Sequence, residues 1–281
     1  MHKRPTFLII GIGTTLLILL YIAYHNYSDS LYANPLSRIN IGIWGKHAYV
    51  VSLSAKTNQH IIFTFPNSHV VQVPGGLKGY KIGALGKLAQ LENDPFLFAK
   101  ALGQGSGLFI HKSLHKDSNE IYYDDKPLTD NLDSIIGEIK NSVFLEGDLS
   151  IVDRIYLYST ISNAKSSQIT LVNVGEYTQR EILFDRIFRN EKKLVQILYN
   201  LSQRTAYFLS INLENTGIRV ADISANDKVT KECSVTESTD KHSETAKFIS
   251  KYFNCKLVTG NTGLYEIIWR LDTGVEDRWK L

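Results

Sequence analysis

The sequence lacks a marked excess of charge of either sign. Its 281 residues include 31 Lys and Arg against 28 Asp and Glu, and the basic residues are not clustered. A nucleic-acid-binding surface needs clustered Lys and Arg, so the composition gives no sign of a nucleic-acid partner. The hydrophobic share of 43% and the charged share of 21% are those of an ordinary folded protein.

The sequence also lacks the motifs of several enzyme classes. It has no recognisable Ser-His-Asp arrangement, no zinc-ligand spacing and no phosphate-binding loop. The glycine-rich segment Gly103–Gly107 lacks the Gly-Lys-Ser/Thr ending and the following helix that such a loop requires. We therefore predict a tight turn there, leading from a helix into a strand at Leu108–Ile110.

Two histidines four residues apart, His111 and His115, have the spacing of metal ligands on a helix. No third ligand accompanies them, and the neighbouring Lys112 and Lys116 would oppose a cation. We predict a solvated strand end or loop. Residues 122–126 (YYDDK) are likewise predicted to form a turn rather than a metal site.

One long apolar run is present, from Phe7 to Tyr24, directly after the basic start of the chain. As a helix it would measure roughly 27 Å, close to the hydrocarbon thickness of a bilayer. The basic start predicts a cytoplasmic N-terminus and an outside location for the rest. A cleaved signal peptide is the alternative, but the segment His25–Tyr27 is a poor cleavage site. We predict a stub and transmembrane anchor over residues 1–27 and a tether over 28–37.

Beyond the tether, four short runs rich in β-branched and aromatic residues alternate with turn residues, which predicts neighbouring strands of one sheet. A helical pattern then begins near Gly79, and two helical pieces are expected, broken before Pro95. The strand runs are Ile39–Trp44, Ala48–Leu53, His60–Phe65 and His69–Val73.

The order of short motifs in this region resembles the core of the LytR–CpsA–Psr (LCP) family. The matching pieces are Asn40-Ile41, Gly45, Val51–Leu53, Phe65-Pro66, Val73–Gly75, and Lys81-Ile82 with Ala84. Members of this family are membrane-anchored envelope proteins that transfer lipid-linked glycopolymers onto the cell wall. The resemblance implies an LCP-like α/β domain with a mixed sheet over residues 38–175.

The charged residues typical of the family are mostly missing. Lys46 stands where the family carries an acid, and Asn67-Ser68 stands where it carries an Arg-Asp pair. A later family motif, Gly-Asp before two arginines, is matched by Asp148 and Arg154, with Ile151 in place of the first arginine. The resemblance therefore implies a cleft beside Pro66, faced by the candidate ligand-binding residues Lys46, Asn67, Lys81 and Arg154, with no catalytic or metal-binding set.

Two further helices are predicted in this domain. The apolar spacing over Thr129–Phe144 indicates an amphipathic helix capped by Thr129 or Asp130. Gly147-Asp148 is predicted to open a second helix over Leu149–Ile161, with Asp148 as its cap. For Asp148 and Arg154, a cap and a surface ion-pairing residue remain the alternatives to a ligand-binding role.

A polar linker is predicted over residues 176–190, followed by a small layered α/β domain over 191–281 with parallel neighbouring strands. Its order resembles the C-terminal domain often joined to LCP proteins. The predicted strands are Leu194–Tyr199, Ile218–Ile223, Cys233–Thr236, Cys255–Val258 and Tyr265–Leu271; the predicted helices are Ser202–Glu214 and His242–Phe253.

Cys233 and Cys255 are the only cysteines, and each begins a predicted strand of this domain. A right-handed crossover makes two such strands parallel, with both starts at one end of the sheet. If the strands are adjacent, the cysteines are within disulfide reach. We predict the disulfide; two buried free thiols are the alternative.

Three functional hypotheses follow. The protein is a non-catalytic envelope protein that binds a polyprenyl lipid, a glycan or a protein partner; or a divergent transferase that would use Mg²⁺ and residues such as Lys46, Lys81 and Arg154; or a purely structural assembly protein. An apolar pocket between the sheet and the helices of Gly79–Ala101 would favour the first two, converging carboxylates the second, and a filled layer the third. No cofactor is expected under the first hypothesis.

Overall fold

The computed structural model describes residues 5–28, 30–33, 38–54, 57–94, 96–116, 121–122, 131–174 and 186–280. The first element is helix α1, Pro5–Ser28. Within the described part of the chain, no helix meets the length and apolarity that crossing a membrane requires. The predicted anchor and its topology therefore stay predictions.

A six-stranded mixed sheet forms the centre of the first domain. Its strand order is β7-β6-β1-β2-β3-β8, and the pairs β1–β6 and β3–β8 are parallel while the others are antiparallel. The predicted mixed sheet and its first three strands are confirmed. The strands are β1 (Arg38–Trp44), β2 (Ala48–Ser54), β3 (His60–Phe65), β6 (Lys112–His115), β7 (Glu146–Gly147) and β8 (Ile169–Asn173).

The fourth predicted strand belongs to a separate hairpin, in which β4 (Val70–Gln72) pairs with β5 (Gly79–Lys81). The prediction of a helix near Gly79 was therefore wrong. The cause is the intervening turn, where Gly75 and Gly76 have φ angles of 103° and 79° and bring the chain back antiparallel. The helix begins six residues later.

Two helices cover each face of the six-stranded sheet. Helices α2 (Leu85–Glu92) and α3 (Leu97–Ser106) pack on one face, and α4 (Leu132–Ser142) and α5 (Ile151–Asn163) pack on the other. The two helical pieces predicted for residues 79–101 are thus confirmed in number. Pro95, the expected break, lies outside the described residues.

The glycine-rich segment is not a turn into a strand, because α3 continues through it to Ser106 and Gly107 caps the helix. Small residues are needed there: a Cβ on Gly103 would lie 2.7 Å from the Leu108 carbonyl oxygen, and one on Gly105 would lie 2.7 Å from the ring of Phe65. Residues 108–110 form no strand.

The helix caps on the other face also differ from the prediction. Asn131 caps α4, accepting a hydrogen bond from the Asp133 amide at 3.0 Å, whereas Thr129 and Asp130 lie outside the described residues, as do residues 123–126 of the predicted turn. Ser150, not Asp148, caps α5. Asp148 instead accepts a hydrogen bond from the Ser113 amide at 2.6 Å, which fastens β6.

The second domain is a five-stranded sheet of order β10-β9-β13-β11-β12 covered by helices. Its neighbours are parallel as predicted, except that β11 and β13 run antiparallel. The strands are β9 (Leu194–Tyr199), β10 (Arg219–Ala225), β11 (Ser234–Glu237), β12 (Lys256–Thr259) and β13 (Ile267–Arg270); the helices are α7 (Gln203–Asn215), α8 (Glu244–Phe253) and α9 (Thr273–Trp279).

Two parts of this region were not foreseen. The end of the predicted linker is helical, since α6 spans Arg186–Glu191, while residues 176–185 lie outside the described residues. Helix α9 was missed because it has only seven residues, too few for a clear helical period.

The predicted disulfide is present between Cys233 and Cys255, whose Cα atoms are 4.7 Å apart. Its geometric premise also holds, because β11 and β12 are adjacent and parallel and are joined through α8. The bond ties the two strand starts together at one edge of the sheet.

The two domains share a core through Phe109, which follows α3 in the first domain. Its side chain is fully buried in the aromatic cluster of the second domain. Three hydrogen bonds to backbone carbonyls reinforce this junction. Asn215 donates to the Gly107 carbonyl at 3.0 Å, Tyr252 donates to the Ile110 carbonyl at 3.0 Å, and the Gly75 amide donates to the Lys280 carbonyl at 2.7 Å.

Candidate functional site

Two of the four candidate residues meet at one edge of the six-stranded sheet. Lys46 lies exposed in the turn between β1 and β2, and Asn67 is buried just beyond β3. The Asn67 side chain donates to the Lys46 carbonyl at 3.1 Å, and its own carbonyl accepts from the Gly83 amide at 3.0 Å. In this structure, therefore, Asn67 ties two loops together.

The other two candidates do not complete a site there. Lys81 is exposed at the end of β5. Arg154 lies on α5, which packs on the opposite face of the sheet from α2 and α3, and its guanidinium donates to the carbonyls of Val143, Leu145 and Leu149. Through these three hydrogen bonds, Arg154 holds the connection between α4 and α5 in place.

The layer between the sheet and α2 and α3 is filled by side chains. Trp44, Phe65 and Phe98 are almost completely buried in it, and the Trp44 indole donates to the Ile82 carbonyl at 2.9 Å. A Cβ on Gly86 would lie 2.2 Å from the Trp44 ring. The space in which the sequence suggested a ligand pocket is therefore occupied by the protein itself.

A carboxylate missed by sequence reasoning lies near the Lys46 turn. Glu138 of α4 accepts a hydrogen bond from the Tyr49 hydroxyl at 2.6 Å and pairs with His47 Nδ1 at 2.8 Å. Burial, together with this carboxylate, raises the pKa of Tyr49, so its hydroxyl stays a donor. No sequence signal links Glu138 to this turn, since 89 residues separate it from Tyr49. Among the described residues, no group of three or more His, Cys, Asp or Glu could hold a metal ion.

A cavity lies at the junction of the two domains, where α3 and the start of β6 face α8 and α9. Its volume is about 680 Å³, within the usual range of ligand pockets. We call it the interdomain cavity. Aromatic side chains form much of its wall: Phe96, Phe248, Tyr252, Phe253 and Trp279.

Cationic side chains surround this aromatic wall. Lys112 contributes from β6, and Lys251 and Arg278 contribute from the second domain. Lys251 and Arg278 are exposed, and within the described part of the chain neither forms an ion pair. A fourth cation, Lys100, is neutralised by Asp94 at 2.6 Å.

Asp148 is the remaining acid in the cavity wall. Burial raises its pKa, an effect opposed by the hydrogen bond from the Ser113 amide and by Lys112, whose Nζ lies 4.0 Å from Oδ2. The cavity thus combines apolar aromatic surface with a net excess of positive charge, a combination suited to a ligand with an apolar body and an anionic group.

The two histidines predicted to be solvated are both packed. His111 Nδ1 accepts a hydrogen bond from the Asn40 amide at 3.0 Å, and burial lowers the pKa of His111 to about 4. His115 stacks on Phe98, with the ring centroids 4.9 Å apart. Neither side chain is arranged with the other as a metal pair, because they lie on a strand and its approach rather than on a helix.

No family model and no curated protein matches the chain, whereas several solved structures do. A transcriptional regulator, yvhJ from Bacillus subtilis, is 15% identical over 49% of this chain and 82% of its own, with a TM-score of 0.35. B. subtilis TagV is 12% identical over 49% and 84%, with a TM-score of 0.34. The LytR-CPS2A-psr family protein YwtF (TagT) with bound octaprenyl pyrophosphate lipid is 11% identical over 49% and 77%, with a TM-score of 0.34. At these scores the likenesses say nothing about the ligand or activity of this chain.

Proposed function

We propose that this protein is a membrane-anchored, extracytoplasmic envelope protein related to LCP proteins, and that it binds an anionic polyprenyl lipid, or a glycan carried on one, without turning it over. The observation that carries the proposal is the interdomain cavity, with aromatic walls and cations at Lys112, Lys251 and Arg278. The family relation rests on the order of motifs in residues 40–84 and on the mixed sheet in which β1, β2 and β3 are neighbours.

The chemistry of the cavity favours an amphiphile over a fully polar ligand. Aromatic side chains contribute most when they cover apolar surface, and a phosphate is well matched to unpaired Lys and Arg groups. A protein partner would need an extended surface rather than a concave cavity. A lipid therefore ranks first and a protein partner last among the alternatives.

The non-catalytic part of the proposal rests on missing charge. Phosphoryl transfer from a pyrophosphate lipid needs positive charge on the phosphates, commonly from a metal ion held by carboxylates together with arginines. The loss of one preorganised donor already costs about 2.7–4 kcal/mol of transition-state stabilisation. Arg154 is engaged with three carbonyls, and Lys46 stands where the family has an acid.

A structural assembly role is the second candidate, and the filled layer under α2 and α3 favours it. The proposal is tested with the full-length protein in detergent micelles, incubated with a lipid-pyrophosphate glycan and a glycan acceptor, with and without Mg²⁺. We expect saturable binding without release of lipid pyrophosphate. Metal-dependent release that Arg154→Ala abolishes would establish a divergent transferase, and an absence of binding would favour the structural role.

The location of the ligand is tested by removing the charges of Lys251 on α8 and Arg278 on α9. Replacing Lys251 and Arg278 together by Gln should weaken binding about tenfold or more, because each lost charge contact with a phosphate is worth more than a neutral hydrogen bond. Lys247→Gln is the matched control, since Lys247 lies on the same helix but pairs with Glu244 at the surface. Equal affinity of all three proteins would place the ligand outside the cavity.

A further inference from the structure

The outward side of α5 carries large apolar side chains that no part of the described chain covers. Ile151, Ile155 and Tyr158 are 65%, 64% and 47% exposed. Their spacing of four and three residues places them in one row, on the side of the helix opposite the buried Leu157 and Asp153. We call Ile151, Ile155 and Tyr158 the α5 stripe. Exposed apolar residues are ordinary singly, but a row of them indicates a contact surface.

The chain that follows α1 is fastened to this same helix. Asp153 is almost completely buried, and its Oδ1 accepts hydrogen bonds from the amides of Leu31 at 2.8 Å and Tyr32 at 3.3 Å. The Tyr32 ring packs against Tyr156, with centroids 5.3 Å apart. Since α1 ends at Ser28, its end is held beside α5.

The charges next to the α5 stripe complement an anionic surface. The ammonium group of Lys140 lies 5.9 Å from the centre of the Tyr158 ring, and Lys165 is exposed just beyond the end of α5. Aliphatic and tyrosine side chains flanked by lysine are characteristic of helices that lie at the surface of an anionic bilayer.

We propose that the α5 stripe rests on the membrane surface, with its apolar side chains among the lipid headgroups. This inference rests on the proposed function, because it requires α1 to be the anchor. The residues that follow α1 are held to the Asp153 side of α5, so this helix would lie near the point at which the proposed anchor leaves the bilayer, and its exposed side, away from Asp153, would face the lipid. The contact would then fix the orientation of the first domain relative to the membrane.

The test uses the full-length protein in vesicles of phosphatidylcholine and phosphatidylglycerol, with one nitroxide spin label per molecule. The native cysteines are bonded to each other, so a single introduced cysteine can be labelled selectively. Three variants are compared: Ile155→Cys in the stripe, Tyr21→Cys in α1, and Tyr207→Cys, which is 59% exposed in the second domain. Each label is measured for collision with oxygen, which concentrates in lipid, and with a water-soluble nickel chelate.

We expect the labels at 155 and 21 to favour oxygen and the label at 207 to favour nickel. A nickel-favouring label at 155 beside an oxygen-favouring label at 21 would overturn this inference and leave the anchor intact. A nickel-favouring label at 21 would overturn the anchor itself. Spin–spin broadening at 155 that disappears on dilution with unlabelled protein would identify a second copy, not lipid, as the occupant of the stripe.

Discussion

Removal of the Phe109 ring should destabilise both domains, although the residue belongs to the first. The side chain is fully buried and packs against four aromatic rings of the second domain with centroids 4.9–6.1 Å away: Phe248, Tyr252, Phe253 and Trp279. Truncation of a buried Phe to Ala costs about 3–5 kcal/mol, because the transfer free energy is lost and a cavity remains. Phe109→Ala should therefore lower the thermal midpoint by on the order of 10 °C.

The assay is thermal and urea unfolding of the full-length protein in detergent, followed by near-ultraviolet circular dichroism. Because Phe109 joins the two cores, its loss should also broaden the transition or split it into two. Phe144→Ala is the matched control; Phe144 is 85% exposed, and a surface change of this kind should stay within about 0.5 kcal/mol. If Phe109→Ala unfolds as the unchanged protein does, the aromatic junction does not stabilise the molecule.

Four other predictions concern stability and topology. Burial lowers the pKa of His111 to about 4, below its value in the unfolded chain. The free energy of unfolding should therefore fall by up to about 1.4 kcal/mol per pH unit as the pH falls from 6.5 to 4. In urea titrations, His111→Gln should flatten this dependence. The Cys233–Cys255 bond should appear in non-reduced peptide maps, and its reduction should cost about 3 kcal/mol. The Glu276 carboxylate accepts hydrogen bonds from the amides of Asn200, Leu201 and Ser202. Glu276→Gln should therefore lower the free energy of unfolding in urea by on the order of 2 kcal/mol. Protease added to intact spheroplasts should digest everything after Tyr27.

Each of these has a result that would contradict it. An unchanged pH slope in His111→Gln would mean that another group titrates, and freely alkylated thiols in the unreduced protein would exclude the disulfide. Glu214→Gln, at an exposed position one residue before the end of α7, controls for the glutamine change itself. Full protection from protease would reverse the proposed topology.

The sequence alone determined the elements whose signals are local. Alternating β-branched runs predicted β1, β2 and β3; Ser202 before an apolar period predicted the start of α7; and the two cysteines at strand starts predicted their bond. Each of these predictions depends either on residues close together in the chain or on the handedness of one crossover, and both rules apply in almost any fold. Local patterns also misled where a tertiary contact prevailed. Gly103 and Gly105 are typical of a turn, but they lie inside α3, where neighbouring atoms leave no room for a Cβ and only glycine fits.

Only the tertiary structure decided where a ligand could be held. The cavity brings Lys112 together with Lys251 and Arg278, each of which lies more than 130 residues further along the chain than Lys112, and no spacing rule connects them. The resemblance pointed instead to a cleft beside Pro66, but Trp44 fills the space under α2 and α3, and Arg154, on the other face of the sheet, is bound to carbonyls of the α4–α5 connection. A strand's identity follows from its own residues, whereas a cavity depends on which side chains from distant segments fail to fill the space between them.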